Sequence, residues 1–365
     1  MSTVAIYDAT YESAMDVVEN AFRHFGVNVE NKRVVIKPNI IGPFEARRAI
    51  TTHPAIVSAV VNAVEARRPA QIIVGDNPGV RGYGSNKLCA QRSGILDVCS
   101  KHYVNLSEEG VSATGNSRFT QRVTISRSFV EADYYISIPK FKTHMLTVIT
   151  GSIKNSLGML VGGQKAAIHR MAGACESFSE ALVDIYRLRK PDFVVMDAVV
   201  GMEGKGPSSE DLRDIGRILV SDNAVELDAV MATMMGLEPS YVPMLRIAQK
   251  RGLGRISLRE IETVGPVKRI ERFKLPSKVM RGPVGHLSWR LLQQLMISRP
   301  VPIEEKCTKC GICEQHCPVG AIKLSPYPRI NPERCISCFC CMELCTSHAL
   351  DVTRKVKRYR GRFEY

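Results

Sequence analysis

The sequence lacks any run of about 18 or more apolar residues, which is the length that a membrane-spanning helix requires. Its N-terminus also lacks the basic segment followed by an apolar core that marks a secretory signal. We therefore expect a cytoplasmic protein with no transmembrane segment. Neither the P-loop pattern nor the glycine fingerprint of dinucleotide-binding folds occurs, which excludes those two modes of phosphate binding.

The composition is that of an ordinary globular protein with a basic charge balance. Of its 365 residues, 45% are apolar and 24% are charged. The 50 Lys and Arg residues exceed the 36 Asp and Glu residues, which gives a formal net charge of +14. This excess favours anionic partners: an acidic redox protein, a phosphorylated or carboxylated ligand, nucleic acid, or an anionic membrane surface.

Eight of the 12 cysteines lie near the C-terminal end in two copies of the spacing C-x2-C-x2-C-x3-C. Three thiolates of one copy can hold three corners of a [4Fe–4S] cube, and the fourth ligand then comes from the other copy. This logic predicts two clusters, one held by Cys307, Cys310, Cys313 and Cys345 and the other by Cys335, Cys338, Cys341 and Cys317.

The alternatives for these cysteines are zinc sites and disulfides. Zinc loops usually supply two cysteines and then a long gap, whereas a third cysteine at the same interval favours a cubane cluster. Disulfides require an oxidising compartment, for which the sequence carries no signal. Cys89, Cys99 and Cys175 are scattered, and we expect them to be small buried apolar residues.

Residues 303–353 resemble the bacterial-type ferredoxin module with two [4Fe–4S] clusters. The stretch CTKCGICEQHCP carries the complete first motif, including Pro318 after its fourth cysteine. The second copy, CISCFCCMELCT, has Thr346 where proline is usual and an additional thiol, Cys340, beside Cys341. Neither difference removes a ligand.

The tail at 354–365 is basic and carries three aromatic residues. Basic side chains interleaved with aromatics can contact nucleic acid. A tail that covers an anionic cluster, or that meets an acidic redox partner, accounts for the same residues without a further function. We favour the second interpretation and do not expect a nucleic-acid partner.

The first 265 residues alternate short apolar strands with amphipathic helices, which predicts an α/β domain with a mostly parallel sheet flanked by helices, followed by the small α+β ferredoxin-like domain. The predicted strands are Arg33–Ile36, Gln71–Val74, Tyr134–Ile138, Phe193–Met196 and Arg217–Val220. The predicted helices are 12–25, Pro54–Arg67, 174–189 and 223–236. The segment 79–127 could not be assigned.

Polar residues follow four of the predicted strands directly. They are Lys37 and Asn39, then Asp76 and Asn77, then Lys140, Lys142 and His144, and finally Asp197 and Glu203. The carboxyl ends of parallel strands line the ligand crevice of an open α/β sheet. We therefore expect a ligand site where these loops meet, although Asp76 could instead form an Asx turn and the carboxylates could pair with lysines.

The segment 140–170 extends this predicted site. It supplies cations at Lys140, Lys142, Lys154, Lys165 and Arg170, titratable His144 and His169, and glycines at 158, 162 and 163. These residue types suit an anionic ligand such as a phosphate or a carboxylate. The glycines could also serve only to make turns, and either histidine could be packed rather than functional.

The large domain also resembles the DUF362 family of iron–sulfur proteins, a domain of unknown function. The matching pieces are VVIKPNI, THPAIVSAVV, GDNPG, SIPKFKTHMLTVITGSIKNSLGML and DAVVGMEGKGP, followed by the two-cluster module. The resemblance implies that the site positions are Lys37, Asn39, Asp76, Lys140, Lys142, His144, Lys154, Asn155, Glu203 and Gly206.

Four parts of the chain are predicted. They are an α/β ligand domain at 1–265, a basic connector at 266–302 with an amphipathic helix from Val284 to Met296, the ferredoxin-like domain at 303–353, and the tail at 354–365. We expect this helix to dock on its own protein rather than lie on a membrane.

This organisation predicts an iron–sulfur oxidoreductase in which the clusters pass electrons to or from an anionic substrate or second cofactor, with a low-potential redox protein as partner. His144, Lys140 and Lys142 are the predicted catalytic residues. The predicted cofactor-binding residues are Lys37, Asn39, Asp76, Lys154, Asn155, Glu203 and Gly206. The alternatives are a non-catalytic electron-transfer subunit that docks a partner enzyme, and a nucleic-acid-binding or maturation protein with structural clusters.

Overall fold

The computed structural model describes residues 2–79, 85–172, 175–276, 296–345 and 347–356. The chain forms two compact units, Met1–Pro276 and Ser277–Tyr365. Within the described residues, no helix is long and apolar enough to cross a membrane.

The first unit is built on a mixed sheet. Its strands are β1 Thr3–Asp8, β2 Arg33–Pro38, β3 Gln71–Val74, β6 Tyr134–Ile138, β7 Lys140–His144, β8 Val148–Ile149, β9 Phe193–Met202, β10 Leu212–Ser221 and β11 Glu262–Val264. The order is β11-β1-β10-β9-β6-β2-β3, and β7 pairs with both β8 and β9. Strands β4 Gly110–Ala113 and β5 Val123–Ser126 form a separate hairpin.

Helices flank this sheet. They are α1 Ala14–His24, α2 Pro54–Glu65, α3 Asn86–Arg92, α4 Ile95–Cys99, α5 Arg127–Glu131, α6 Gly151–Asn155, α7 Gln164–Ala172, α8 Cys175–Leu188, α9 Ala224–Met234 and α10 Pro243–Lys250. The predicted α/β class, with parallel strands flanked by helices and a small second domain of short strands, is confirmed.

The strands at the centre of the sheet read as unbroken apolar runs because both of their faces are covered. In β2, Val34 and Ile36 join a core cluster with Phe22 of α1 and Val60 of α2. Val35 points to the opposite face by strand alternation and is also fully buried. The apolar residues of β2 therefore predicted a strand correctly, although they do not alternate with polar residues.

The parallel strands place their carboxyl ends at one edge. Strands β2, β3, β6 and β9 are mutually parallel. Strand β10 is antiparallel to β9, and β1 is antiparallel to β10, so β1 runs in the same direction as β9. The loops that follow β1, β2, β3, β6 and β9 therefore emerge at the same edge.

Two sequence expectations differ from the observed elements. The predicted strand Arg217–Val220 is part of β10, which is antiparallel because only the short loop 203–211 separates it from β9. Residues Lys140–His144, which we expected in a strand-end loop, form β7 and pair in parallel with β9. Pro139 separates β6 from β7 and ends one strand before the next begins.

The second unit repeats itself after 28 residues. Strand β12 Met296–Pro302 pairs with β15 Leu350–Val356, and β13 Ile322–Leu324 pairs with β14 Pro328–Ile330. Helices α11 Ile312–Gln315 and α12 Cys340–Leu344 begin directly after the left-handed residues Gly311 and Phe339. Left-handed residues recur at this interval in three pairs: Lys309 and Ser337, Gly311 and Phe339, Gly320 and His348.

The pairing of β12 with β15 places residues 296–302 and 350–356 in one sheet, whereas the sequence assigned them to the connector and to the end of the ferredoxin-like domain and the tail. The predicted amphipathic helix lies outside the described residues, apart from Met296 in β12, and so does the tail from residue 357 onward.

A buried carboxylate fixes the start of α6. Asp228 of α9 accepts hydrogen bonds from the backbone N–H of Ser152 (2.6 Å) and of Ile153 (2.9 Å). Gly151 has a φ of +60°, and a Cβ there would lie 2.5 Å from the Asp228 carboxylate. Burial raises the pKa of Asp228 to about 7 although both N–H groups lower it.

This shift predicts how stability depends on pH. Because the folded protein binds the Asp228 proton more tightly than the unfolded chain does, its contribution to stability is present below about pH 4 and is lost as pH rises to about 7. We expect Asp228→Asn to remove up to about 4 kcal/mol of this pH dependence. Urea unfolding followed by circular dichroism at pH 4 to 8 measures it.

Asp97→Asn, which changes an exposed carboxylate of α4, is the matched control and is expected to keep the wild-type pH dependence. An Asp228→Asn variant with the wild-type slope of unfolding free energy against pH would contradict the prediction.

Candidate functional site

The most unusual feature of the first unit is a set of buried lysines. Lys37, Lys140 and Lys142 are fully buried, and Lys165 is 5% exposed. Lysine is almost never fully buried unless its ammonium group has partners, because removing a charge from water costs several kcal/mol. The partners of these four side chains therefore define the chemistry of this edge of the sheet.

Lys37 and Asp76 form a buried ion pair across two neighbouring parallel strands. Lys37 lies at the end of β2 and Asp76 just after β3, and their Nζ and Oδ1 atoms are 2.8 Å apart. Nζ also donates to Asn155 Oδ1 (2.9 Å) and to the Pro38 carbonyl (3.1 Å). Burial lowers the pKa of Lys37, and the Asp76 carboxylate opposes that shift.

Amide side chains extend this pair into a network. Asn155 Oδ1 accepts from both Lys37 Nζ and Asn39 Nδ2, the latter at 3.4 Å. Asn39 Oδ1 in turn accepts from Lys142 Nζ at 2.6 Å, and the Ile50 carbonyl accepts from the same Nζ at 2.6 Å. Five of the predicted site residues therefore meet: Lys37, Asn39, Asp76, Lys142 and Asn155.

Gly158 is required for this close approach. A Cβ at Gly158 would lie 2.0 Å from Asp76 Oδ1 and 2.5 Å from Lys37 Nζ. Asn77 Nδ2 donates to the Gly158 carbonyl at 3.0 Å and thereby ties the loop after β3 to the turn after α6. The glycine thus serves close packing against the ion pair.

Lys140 belongs to a second buried cluster at the same edge. Its Nζ donates to Asp197 Oδ2 (2.7 Å) on β9 and to the Tyr11 hydroxyl (3.1 Å). The Tyr11 ring stacks on His53 at 3.6 Å between centroids, and the His53 backbone N–H donates to Asp197 Oδ2 at 2.8 Å. Burial, followed by the Asp197 charge, raises the pKa of Tyr11, while burial lowers the pKa of His53.

The loop at residues 50–53 connects the two clusters. The Ile50 carbonyl accepts from Lys142, Thr52 Oγ1 accepts from the Asn39 N–H (2.8 Å), and the His53 N–H donates to Asp197. Hydrogen bonds and the backbone of residues 50–53 therefore link the Lys37–Asp76 pair to Tyr11.

The remaining predicted residues lie beside this network or apart from it. His144 is buried, and its Nδ1 accepts from the N–H groups of Leu146 (3.1 Å) and Thr147 (3.3 Å). Gly206 packs on β7, where a Cβ would lie 2.1 Å from the Thr143 carbonyl oxygen. Glu203 accepts from the Lys274 N–H at 3.0 Å. Half-buried Lys154 lies near enough to Lys37 and Lys165 to lower the pKa of both.

Sequence reasoning missed Tyr11 and His53. Each stands shortly before a helix that follows a strand, since Tyr11 lies between β1 and α1 and His53 is the N-cap of α2. Both residues could have been identified from their place in loops at the carboxyl edge of the sheet, where the loops converge.

The cysteines of the second unit interleave as the spacing requires. Burial raises the pKa of Cys313, and the neighbouring thiols of Cys310 and Cys345 raise it further. Burial likewise raises the pKa of Cys335, whose thiol neighbours are Cys338 and Cys317. In both cases the fourth cysteine of one motif lies near cysteines of the other motif.

The backbone around the two fourth cysteines is equivalent. The Ala321 N–H donates to Cys317 Sγ (3.1 Å), and the Ala349 N–H donates to Cys345 Sγ (3.2 Å). Hydrogen bonds of this kind stabilise thiolate ligands of an iron–sulfur cluster and tune its potential. The donor set and its backbone surroundings fit [4Fe–4S] ligation.

Comparisons with known proteins agree with both units. A family model described as "Domain of unknown function (DUF362)" matches residues 34–233, and one described as "4Fe-4S binding domain" matches residues 300–323. The expected combination of the two is confirmed. The thylakoid-associated protein sll1697 of Synechocystis is 28% identical over 256 residues, which cover 68% of this chain and 77% of that protein.

Two solved structures show weaker similarity. The lactate racemase apoprotein of Thermoanaerobacterium thermosaccharolyticum has a TM-score of 0.42 at 12% identity over 65% of this chain. A Thermotoga maritima protein has a TM-score of 0.39 at 10% identity over 67% of it. The chain spans 57% and 60% of the length of these two proteins, and the TM-scores are too low to support an argument.

The buried ion pair makes a testable contribution to stability. Removing one partner of a buried pair typically costs about 3–5 kcal/mol because the other charge is left uncompensated. We expect Asp76→Asn to lower the free energy of unfolding by about 3 kcal/mol or more, measured by chemical denaturation.

The matched control is Glu45→Gln, which removes one partner of the exposed Glu45–Arg47 pair, and we expect it to change the free energy of unfolding by less than about 1 kcal/mol. Equal effects of the two substitutions would show that the Lys37–Asp76 pair does not stabilise the fold.

Proposed function

This chain belongs to the DUF362 family, and we propose that it is an iron–sulfur oxidoreductase whose clusters exchange electrons with an anionic substrate, or with a second cofactor, bound at the lysine-rich edge of the sheet. The 4Fe–4S binding domain gives the chain the capacity for electron transfer. The substrate site and the reaction belong to the proposal.

Two [4Fe–4S] clusters are proposed for the second unit. Cys307, Cys310, Cys313 and Cys345 would hold one, and Cys335, Cys338, Cys341 and Cys317 the other. The neighbourhoods of Cys313 and Cys335 and the two equivalent N–H to sulfur bonds support this division. Clusters of this kind supply one-electron transfer.

The excess of buried cations at the sheet edge is the observation that carries the proposed substrate class. Around Asp76 lie Lys37 and Lys154, with Lys165 as a third basic side chain, and Lys142 donates to the Asn39 amide oxygen and the Ile50 carbonyl. The Lys37 and Lys154 charges together outweigh the single Asp76 carboxylate and leave a positive field in a region of low dielectric, where an anion is bound more strongly than in water. A phosphate or a carboxylate suits this field.

The proposed acid–base chemistry falls to side chains at the same edge. Lys140, Lys142 and His144 remain the proposed catalytic residues, with Asn39, Asn155, Glu203 and Gly206 as binding or supporting positions. The Tyr11 hydroxyl directs its single proton to Asp197 Oδ1 (3.5 Å), so it supports the Lys140–Asp197 pair and is not assigned as a donor to the substrate. Lys140 holds that hydroxyl from the buried side.

A non-catalytic electron-transfer subunit is the second candidate. The observation that favours it is that the polar groups of the network bond to one another: Asn155 Oδ1 accepts from both Lys37 and Asn39. A network of this kind can serve only to specify the fold. In either case we propose a low-potential redox protein as electron partner.

Iron content tests the cluster assignment. We expect about eight iron and eight sulfide per chain after anaerobic purification, and about four of each in Cys341→Ala, because that substitution removes a ligand from one cluster only. Cys340→Ala is the matched control, since the Cys340 thiol is next to Cys341 in sequence but is not an assigned ligand, and we expect this variant to retain about eight iron and eight sulfide. Equal losses in the two variants, or about two zinc ions per chain, would contradict the assignment.

Anion binding tests the substrate site. We expect inorganic phosphate or glycolate to raise the melting temperature of the first unit, and Lys154→Met to weaken that binding by about tenfold or more, because a charge-assisted hydrogen bond contributes about 1.5–3 kcal/mol. Lys190→Met, at an exposed lysine, is the control and should bind as the wild type does. If neither anion stabilises the protein, the electron-transfer subunit is the better interpretation.

A further inference from the structure

Lys165 differs from the other buried lysines in its surroundings. It lies in the first turn of α7, and its Nζ donates to two backbone carbonyls of the loop after β3, those of Asn77 and, at 2.9 Å, Pro78. Within the described parts of the chain, no carboxylate lies within ion-pair distance of this Nζ.

The number of acceptors distinguishes two protonation states. An ammonium group has three N–H donors, and Lys37 donates to two neutral oxygens while its Nζ also lies 2.8 Å from the Asp76 carboxylate. Lys165 meets two acceptors among the described residues, and both are neutral. A neutral amine has two N–H bonds, so two carbonyls satisfy it completely, and its lone pair then points away from both.

The electrostatic environment favours the same state. Burial lowers the pKa of Lys165 to about 7, and the nearby Lys37 and Lys154 charges lower it while Asp76 opposes the shift. A large fraction of this side chain is therefore unprotonated at neutral pH, whereas an ordinary lysine is almost entirely charged. Desolvated lysines next to other cations are the typical amine nucleophiles of enzymes.

We propose that Lys165 is a nucleophile that forms an imine with a substrate carrying both a carbonyl group and an anionic group, the chemical class of the oxo acids. This inference rests on the proposed function, because it places the substrate's anionic group at the half-buried Lys154. It also narrows the proposed substrate class from anions in general to anions that carry a carbonyl group.

The covalent step requires no further reactant. The Lys165 nitrogen attacks the carbonyl carbon, and a proton moves from nitrogen to the carbonyl oxygen to give a carbinolamine. Loss of water then breaks the carbon–oxygen bond and forms the carbon–nitrogen double bond. The protonated imine is a stronger electron acceptor than the parent carbonyl, which is why amine catalysis suits a protein that handles electrons.

Reductive trapping tests the proposal on the full-length anaerobic protein. Glyoxylate is added with sodium cyanoborohydride, and the products are mapped by peptide mass spectrometry. We expect N-carboxymethylation chiefly at Lys165 at pH 7, on the order of a hundredfold faster than at exposed lysines, because the unprotonated fractions differ by at least that much. The labelling rate should level off above about pH 8 at Lys165 and keep rising at exposed lysines.

Two variants serve as controls. Lys165→Arg keeps a long N–H donor side chain but has no nucleophilic amine, so it should lose the label while retaining wild-type iron content and circular dichroism. Lys190→Arg, at an exposed position, should leave labelling of Lys165 unchanged. Labelling spread over the exposed lysines, or total adduct unchanged in Lys165→Arg, would overturn the proposal.

Glycolate separates this inference from the proposed function, because it has the size and charge of glyoxylate but no carbonyl group. Stabilisation by glycolate without any trapped adduct from glyoxylate would overturn the imine and leave the anion site standing. Absence of both would remove the anion site as well.

Discussion

The cost of taking lysine ammonium groups out of water governs the first unit. Four such side chains lie at one edge of the sheet with little or no exposure, and each must either find acceptors or give up its proton. Lys37 and Lys140 pair with carboxylates, Lys142 with an amide and a carbonyl, and Lys165 with carbonyls alone. The burial cost is therefore met in two ways at this edge, by pairing of the charged ammonium group or by loss of its proton.

The partners of these lysines explain the conformation of the surrounding loops. The loop at 50–53 offers a carbonyl, a hydroxyl and an N–H to three different members of the network. The turn at Gly158 approaches Asp76 more closely than any side chain would permit. The loop after β3 turns two carbonyls toward Lys165. Loops that would otherwise be free to vary are held in place by buried charge.

In the second unit the buried groups are thiols, whose ionised form is negative rather than positive. Thiols brought together in a buried loop resist ionisation, as the raised pKa of Cys341 shows, and burial is the first cause of that shift. A bound cationic iron core removes the penalty, because thiolates are its natural ligands. Left-handed residues and N–H to sulfur bonds recur after 28 residues, so the two motifs share the same backbone conformation.

The sequence alone determined the features that depend on local pattern. The cysteine spacing predicted an iron–sulfur module because ligands of one loop are close in sequence, and unbroken apolar runs predicted β2, β3 and β6 because burial on both faces leaves no polar alternation. The convergence of Lys37, Asn39, Asp76 and Lys142 followed from the rule that parallel strands end at one edge, whereas Asn155 was expected there only from the family resemblance. Tertiary structure decided the rest. Which carboxylate meets which lysine, the inclusion of Tyr11 and His53, and the packing of Gly158 on an ion pair all depend on contacts between residues far apart in the chain. Such contacts leave no periodic trace in the sequence, because they are fixed only when the strands take their order and register.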